Sequence, residues 1–86
     1  MYDSRQLGNT VLIERRRLGI DQKELERRSG VSRSRISEIE RGKGTNVGLD
    51  AIYSLADALG VTVPYLLGLS QDALGEGAAA VIKSLA

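Results

Sequence analysis

Apolar residues recur along the chain at intervals of three and four positions, and groups of Gly, Asn and Ser separate these stretches. Such spacing puts the apolar side chains on one face of a helix, whereas the alternation typical of a strand is nowhere sustained. The pattern therefore predicts an all-α fold of five helices. They run from about Leu7 to Leu18, from Asp21 to Gly30, from Ser32 to about Arg41, from Leu49 to Leu59, and from a Thr62 cap onward with Pro64 in the first turn.

Polar residues at the predicted helix ends support these boundaries. Asp21 can accept from the free amides of the second helix, and Glu24 three residues later completes a capping box. Ser32 can cap the third helix in the same way. The apolar faces of the helices predict a single core. Its predicted members are Leu7, Val11, Leu18, Leu25, Val31, Ile36, Ile39, Leu49, Ile52, Leu55, Ala56, Leu59, Leu66, Leu67 and Leu69.

The third predicted helix has two different sides. Ile36 and Ile39 share one side at about 100° per residue. The other side carries only polar side chains, namely those of Arg33, Ser34, Ser37, Glu38 and Arg41. With the helix before it, this helix forms a candidate helix-turn-helix unit, in which the second helix presents its polar side to a ligand. An ordinary amphipathic helix with a solvated face accounts for the same pattern.

Composition narrows the chemistry that is available. The 86 residues suffice for one domain with one core. Neither Cys nor His is present, which excludes thiol nucleophiles, imidazole bases and the usual zinc sites, so we expect no enzyme, no metal and no cofactor. No apolar stretch approaches the roughly 20 residues of a membrane span, and the N-terminus lacks a secretory signal. We therefore expect a cytoplasmic protein without a membrane partner.

Charge is divided unevenly along the chain. Residues 1–44 contain eleven of the twelve Lys and Arg with seven acidic residues, whereas residues 45–86 contain only Lys83 with four acidic residues. The first half therefore carries +4 and the second −3. A basic half is typical of a protein that binds a polyanion, although solvated helix faces produce the same imbalance.

From Leu7 to Leu67 the chain resembles the Xre/Cro-type phage-repressor helix-turn-helix family. The resemblance rests on the stretches GIDQKELERRSGVSRSRISEIERGK and LDAIYSLADALGVTVPYLLG. The matching positions are Gly19, Gln22, Leu25, Gly30, Val31, Ser32, Ile36, Ile39, Glu40, Gly42, Leu49, Ile52, Ala56, Leu59, Gly60 and Val61. It implies a lambda-repressor-like fold, a compact five-helix bundle that binds double-stranded operator DNA as a two-fold dimer.

The resemblance also implies roles for individual residues. The positions that face base edges in the major groove are Arg33, Ser34, Ser37 and Glu38. Gln22 matches a glutamine that contacts a phosphate and supports the first residue of the recognition helix, here Arg33. Further phosphate contacts are expected from Arg41, Lys43 and Asn46, and as weaker candidates from Lys23 and Arg35. Arg15 and Glu40 match a structural ion pair between the first and third helices.

Two of these side chains have alternatives. Arg33 can donate two parallel hydrogen bonds to O6 and N7 of guanine, or bind a phosphate without conveying sequence information. Glu38 can accept from N4 of cytosine, or pair with Arg35 or Arg41 and not touch DNA.

Glu26 and Glu14 depart from the family pattern. Glu26 stands where a small residue is usual, so either its carboxylate turns to solvent or the second and third helices cross more loosely. Glu14 takes a commonly apolar position, where it can pair with Arg17 or Arg28.

Residues 1–69 are predicted to form the DNA-binding domain, and residues 70–86 are predicted to form a tail. One further helix over Ala78–Ala86 is an open alternative for this tail. We expect a homodimer, because a lone module of this size seldom binds DNA specifically. The resemblance implies a dimer interface around the fifth helix, at Val63, Pro64 and Tyr65. The apolar tail residues Val81, Ile82 and Leu85 are predicted to add a further patch. The alternatives are that Tyr65 packs on its own fourth helix and that the tail is an unstructured end or a linker.

The sequence thus predicts a sequence-specific DNA-binding transcriptional regulator, most simply a repressor of a palindromic operator. Two alternatives use the same bundle. One is a protein-interaction module with Leu12, Ile13 and Tyr53 as exposed apolar contacts. The other is an antitoxin whose tail, Ala73–Ala86, binds a toxin.

Overall fold

Five α-helices account for most of residues 3–43 and 47–73, the part of the chain described by the computed structural model. They are α1 (Ser4–Arg17), α2 (Gln22–Ser29), α3 (Arg33–Glu40), α4 (Leu49–Leu59) and α5 (Val63–Leu66). Those residues contain no strand and no helix long and apolar enough to cross a bilayer. The predicted all-α five-helix fold is confirmed, and the further helix predicted over residues 78–86 lies outside the described residues.

Aspartate side chains fix where α1 and α2 begin. Asp3 Oδ1 accepts from the backbone N of Arg5 at 2.9 Å, which starts α1 about one turn before the predicted Leu7. Asp21 Oδ1 accepts from the backbone N of Glu24 at 2.8 Å, so this predicted cap is confirmed. Each contact satisfies one of the amides that lack a partner inside the helix.

Hydroxyl side chains cap α3 and α5 in the same way. Ser32 Oγ accepts from the backbone N of Arg35 at 3.2 Å, and Thr62 Oγ1 accepts from the backbone N of Tyr65 at 3.2 Å. Both predicted caps are confirmed. Gly30 ends α2 with a φ of +78°, a left-handed conformation that glycine adopts without steric cost, and so permits the short turn into α3.

The carboxylate of Glu24 binds arginines of its own helix and does not complete the predicted capping box. It accepts from Arg27 at 2.9 and 2.6 Å and from Arg28 at 2.7 Å. These hydrogen bonds, with those from Arg27 contributing most, lower the pKa of Glu24 to about 2. Ion pairs on an exposed helix face add little to stability, because solvent screens them.

The core draws side chains from all five helices. Its fully buried members are Leu7, Val11, Leu25, Ile36, Ile39, Ile52, Leu55, Leu59 and Leu66. Val31 and Ala56 are also buried, and Leu67 packs against the core while remaining half-buried. Most of the predicted core is therefore confirmed.

Three residues predicted in the core, Leu18, Leu49 and Leu69, are exposed. Leu18 caps the end of α1, Leu49 is the first residue of α4, and Leu69 follows the turn after α5. The prediction is wrong at these positions because helical periodicity does not determine the direction of a side chain at or beyond a helix end.

Gly8 lets α1 and α3 approach closely. A Cβ atom built on Gly8 would overlap the carbonyl oxygen of Ile39. Gly8 is buried, so an added methyl group has no direction in which to move away. The distance between the two helices therefore depends on the absence of a side chain at this position.

A buried carboxylate joins α1 to α5. Glu14 is 5% exposed and accepts from the hydroxyl of Tyr65 at 2.8 Å and from Nε of Arg17 at 2.5 Å. The predicted pairing with Arg17 is confirmed, whereas Arg28 binds Glu24. The hydrogen bond to Glu14, assisted by burial, raises the pKa of Tyr65, because it favours the protonated phenol.

After α5 the chain returns to the start of that helix. The backbone N of Thr62 donates to the carbonyl oxygen of Ala73 at 2.9 Å, and Thr62 Oγ1 donates to that of Asp72 at 3.2 Å. Ala73 also packs against the core. Contacts of the bundle thus extend past the domain boundary predicted after residue 69.

We expect Gly8→Ala to destabilise the protein by about 1 to 3 kcal/mol, because the methyl group must push α1 and α3 apart. Urea unfolding measures the change. Gly48→Ala is the matched control, since nothing lies within 4 Å of the added methyl group and its φ of −69° suits any residue. Its cost should stay below about 1 kcal/mol. Equal stability of the two variants would contradict the close approach at Gly8.

Tyr65→Phe removes a hydrogen bond to a buried carboxylate, and we expect it to cost about 1.5 to 3 kcal/mol at neutral pH. The pKa of Tyr65 is higher in the folded state than its ordinary value of 10.0. Its contribution is therefore complete below that ordinary value and is lost as the pH rises through the folded value. Urea unfolding at increasing alkaline pH should show Tyr65→Phe and the unchanged protein converging.

The exposed Tyr53 supplies the control for this pH series. Tyr53→Phe should match the unchanged protein at every pH. A gap between Tyr65→Phe and the unchanged protein that stays constant into the alkaline range would rule out the proposed role of the Tyr65 proton.

Candidate nucleic-acid interface

Burial of one side of α3 determines which side chains it presents outward. Ile36 and Ile39 are fully buried, and Val31 in the preceding turn is buried as well. On the opposite side, Ser37 is half-buried and the exposed residues are Arg33, Ser34, Glu38 and Arg41. The two sides predicted for this helix are therefore confirmed.

The outward side of α3 and the start of α2 line one open depression of about 440 Å³. It is lined by Gln22, Arg33, Ser34, Ser37, Glu38 and Arg41. All four predicted base-contacting residues thus lie together, with two of the predicted phosphate contacts. Two guanidiniums, two hydroxyls and a carboxamide accompany a single carboxylate, so the surface offers mainly hydrogen-bond donors.

A largely buried ion pair between Arg15 of α1 and Glu40 of α3 holds the helix that presents this surface. Arg15 donates from Nε to Glu40 Oε2 at 2.7 Å and from Nη2 to Glu40 Oε1 at 3.0 Å. Its Nη1 donates to the carbonyl oxygen of Ile20 at 2.9 Å. The two side chains are 12% and 6% exposed, so the predicted ion pair is present. The hydrogen bond to Glu40 is the main cause of the raised pKa of Arg15.

Gln22 extends this contact to α2. Its Nε2 donates to Glu40 Oε1 at 3.0 Å, so its hydrogen bond goes to Glu40 and not to the predicted partner Arg33. Gln22 nevertheless lines the same depression as Arg33. One carboxylate therefore holds α1, α2 and α3 together.

Glu26 of α2 caps α3 from outside that helix. Its Oε2 accepts from the backbone N of Arg33, the first residue of α3, at 2.9 Å. Neither expectation for Glu26 describes this contact, because the half-buried carboxylate turns toward α3. The amide that it binds is one of those at the helix start without an intrahelical partner.

The remaining predicted phosphate contacts do not all lie beside the depression. Lys43 is exposed just after α3. Lys23 lines a separate depression on the outer side of α2, and Arg35 lines a third one between the turn before α3 and the start of α4. Asn46 lies outside the described residues. Lys23 and Arg35 thus do not line the depression that holds the base-facing side chains.

Sequence reasoning did not identify Arg5, which lies beside the turn that follows α3. A Cβ atom built on Gly42 would lie 3.4 Å from Cγ and 3.5 Å from Cα of Arg5, whose side chain is exposed. Asp3 could have indicated this position from the sequence, because an aspartate at this point can cap a helix that includes Arg5. A helix that starts at Ser4 puts Arg5 on the same side as Gly8, three residues later, and this side faces α3.

Three residues of the predicted dimer interface are described. Pro64 is exposed, whereas Val63 and Tyr65 are half-buried and pack against the core. The Tyr65 hydroxyl is bound by Glu14 of α1. The other predicted interface residues, Val81, Ile82 and Leu85, lie outside the described residues.

Comparison with known sequences identifies the same unit. The family model described as helix-turn-helix matches residues 12–66. The chain is 43% identical over 61 residues to y4dJ, an uncharacterised HTH-type transcriptional regulator of Sinorhizobium fredii (strain NBRC 101917 / NGR234). That match covers 70% of this chain and 78% of the relative.

Two solved structures share the fold. The hypothetical transcription factor NHTF from Neisseria has a TM-score of 0.70 and 34% identity, with 76% of this chain and 74% of that chain covered. A chain of the SinR protein/SinI protein complex has a TM-score of 0.71 and 25% identity, with 92% and 77% covered. The lambda-repressor-like fold is therefore confirmed, and this chain belongs to the Xre/Cro-like helix-turn-helix family of DNA-binding transcriptional regulators.

Proposed function

We propose that this protein binds a specific DNA sequence, most simply as a repressor whose homodimer occupies a short palindromic operator. The observation that carries the proposal is the depression in which four side chains of α3, together with Arg41 just after the helix, lie beside Gln22. Ile36 and Ile39 anchor the opposite side of α3 in the core. A helix divided in this way can enter the major groove with its polar side toward the base edges.

Each base-facing side chain has a distinct chemical role. Arg33 donates two parallel hydrogen bonds to O6 and N7 of guanine, a contact worth about 1 to 3 kcal/mol of discrimination. Ser34 and Ser37 are short enough to let the helix backbone approach, but their hydroxyls both donate and accept and therefore discriminate poorly. Glu38 accepts from N4 of cytosine and is repelled by phosphate.

Phosphate contacts flank the recognition helix. Gln22 lies on one flank, where its bond to Glu40 orients the carboxamide. Arg41 and Lys43 lie on the other, at the end of α3, and we add Arg5 because it lies against Gly42 in the following turn. Asn46 remains a candidate on this flank, and Lys23 and Arg35 remain weaker candidates.

Two copies of the chain are required for useful specificity, because a single module buries only about 600 to 1,000 Å² on DNA. We propose that the exposed Pro64, with Val63 and Tyr65 beside it, forms part of the dimer interface. Val81, Ile82 and Leu85 of the tail remain proposed members. The relative y4dJ comes from a bacterium, in which the chromosome lies in the cytoplasm, and we propose the same location for this protein.

The DNA target is found by selecting fragments from a genomic library and footprinting the bound sequence. On that duplex we expect Arg33→Ala to abolish preference at one base position of each half-site, at a cost of about 1 to 3 kcal/mol. Arg5→Ala and Lys43→Ala should weaken all duplexes alike and each reduce the slope of log K against log salt by about one. Fluorescence anisotropy at several salt concentrations measures both effects.

Arg17→Gln is the matched control, because Arg17 pairs with Glu14 on the side of α1 that contacts α5. It should leave both base preference and salt slope unchanged. Symmetric footprints report the dimer and its half-site spacing in the same experiment. Binding that is independent of salt, or no binding to any genomic fragment, would defeat the proposal.

A second function, docking of a protein partner, is favoured by the similarity to a chain of the SinR/SinI complex. The exposed Ile13 and Tyr53 offer apolar contacts, whereas Leu12 is half-buried. The antitoxin variant of this proposal uses residues 73–86.

The two functions respond to different substitutions. If partner docking is the main function, Ile13→Glu should abolish co-purification with the partner from the source cells, while Arg33→Ala combined with Ser37→Ala leaves it intact. If DNA binding is the main function, Arg33→Ala combined with Ser37→Ala should abolish DNA binding, whereas Ile13→Glu should leave it intact. Melting temperatures of all variants establish that each one is folded.

A further inference from the structure

Two side-chain acceptors hold the start of α3, and they differ in charge. Ser32 Oγ accepts from the backbone N of Arg35 at 3.2 Å. Glu26 Oε2 accepts from the backbone N of Arg33 at 2.9 Å, and it reaches this amide from the neighbouring helix. The amide of the first base-facing residue is therefore bound to a carboxylate of the protein itself.

The charge of this carboxylate is not balanced by an ion pair among the described residues. Glu40, Glu14 and Glu24 each form an ion pair with an arginine. Glu24 on the same helix, by contrast, is bound by Arg27 and Arg28. Within the part of the chain that the structure describes, Glu26 therefore brings a carboxylate to the start of α3 without an arginine or lysine partner in an ion pair.

A helix N-terminus ordinarily attracts anions, because its free amides and the helix dipole favour negative charge. On a DNA duplex the available anions are phosphates, which occur at every base step and convey no sequence information. An amide that already donates to a carboxylate cannot donate equally to a phosphate, and the carboxylate repels a phosphate that approaches. Glu26 thus removes one attraction that would be the same for every DNA sequence.

We propose that Glu26 is a positioning residue of the recognition helix that increases its sequence specificity. The contact to Arg33 holds the first turn of α3 in place, and the charge keeps phosphate away from that turn. Binding then depends more on contacts from Arg33 and its neighbours to the base edges. This inference rests on the proposed function, because it concerns the ratio between operator and random-duplex affinities.

The test compares three variants of the full chain on the selected operator and on a random duplex of equal length. Glu26→Ala removes the acceptor and the charge, so we expect about two- to fivefold tighter binding to the random duplex and a salt slope steeper by up to about one. Operator binding should not gain, so the ratio of affinities falls about two- to fivefold or more. Glu26→Gln keeps an oxygen for the amide and should lower the ratio less.

Glu24→Gln is the matched control, because it removes the same formal charge from the same helix without touching Arg33. It should shift both affinities alike and leave their ratio within about twofold. Hydrogen exchange of the Arg33 amide gives an independent measurement, since protection reports the hydrogen bond. Protection should fall about tenfold in Glu26→Ala and persist in Glu26→Gln.

Different failures have different meanings. If the unchanged protein binds no duplex, the proposed function is wrong and the inference fails with it. If the unchanged protein binds its operator but Glu26→Ala keeps the same ratio and salt slope, the inference alone is wrong. Unchanged exchange of the Arg33 amide in Glu26→Ala would also overturn it, since no contact would then be lost.

Discussion

Glu40 accepts hydrogen bonds from α1 and α2 through one carboxylate, and this shared contact sets the position of α3. Arg15 binds both of its oxygens and Gln22 binds one of them. The group is only 6% exposed, so losing Arg15 would leave a buried charge uncompensated, and losing Gln22 would remove one of its hydrogen bonds. Such an arrangement favours one relative orientation of the three helices over others, which matters more for an interface than the net energy of the pair.

Residues along α1 fix how this helix packs against α3 and α5. Gly8 determines how closely it approaches α3, and Arg15, two turns later, determines the angle through Glu40. Between them Glu14 binds Tyr65 of α5. α1, which contributes only Arg5 to the proposed DNA contacts, therefore controls the geometry of α3, which contributes the most.

Much of this arrangement follows from local sequence rules. The caps at Asp21, Ser32 and Thr62 form as predicted, and α4 has the predicted bounds, because a capping side chain and a run of apolar positions act within one or two turns. The ion pair between α1 and α3 came from the family resemblance, since spacing alone cannot bring residues 15 and 40 together. The outward side of α3 needed only helical periodicity.

The rest depends on how the helices cross. Glu26 binds a backbone amide of the next helix, so its role depends on the angle between α2 and α3, and no sequence pattern specifies that angle. Arg5 meets Gly42 only because α1 packs against α3. Leu49 is the first residue of α4 and Leu69 lies beyond the end of α5, so helix geometry does not direct either side chain toward the core.

The separation of anchoring and ligand-facing residues on α3 has a consequence for how binding preference can change. Ile36 and Ile39 hold the backbone through one side, while Ser34 and Ser37 on the other make none of the hydrogen bonds that fix the three helices. Exchanging such outward side chains can therefore redirect the protein to a new target without disturbing its architecture. The DNA target can therefore differ between relatives that share the same fold.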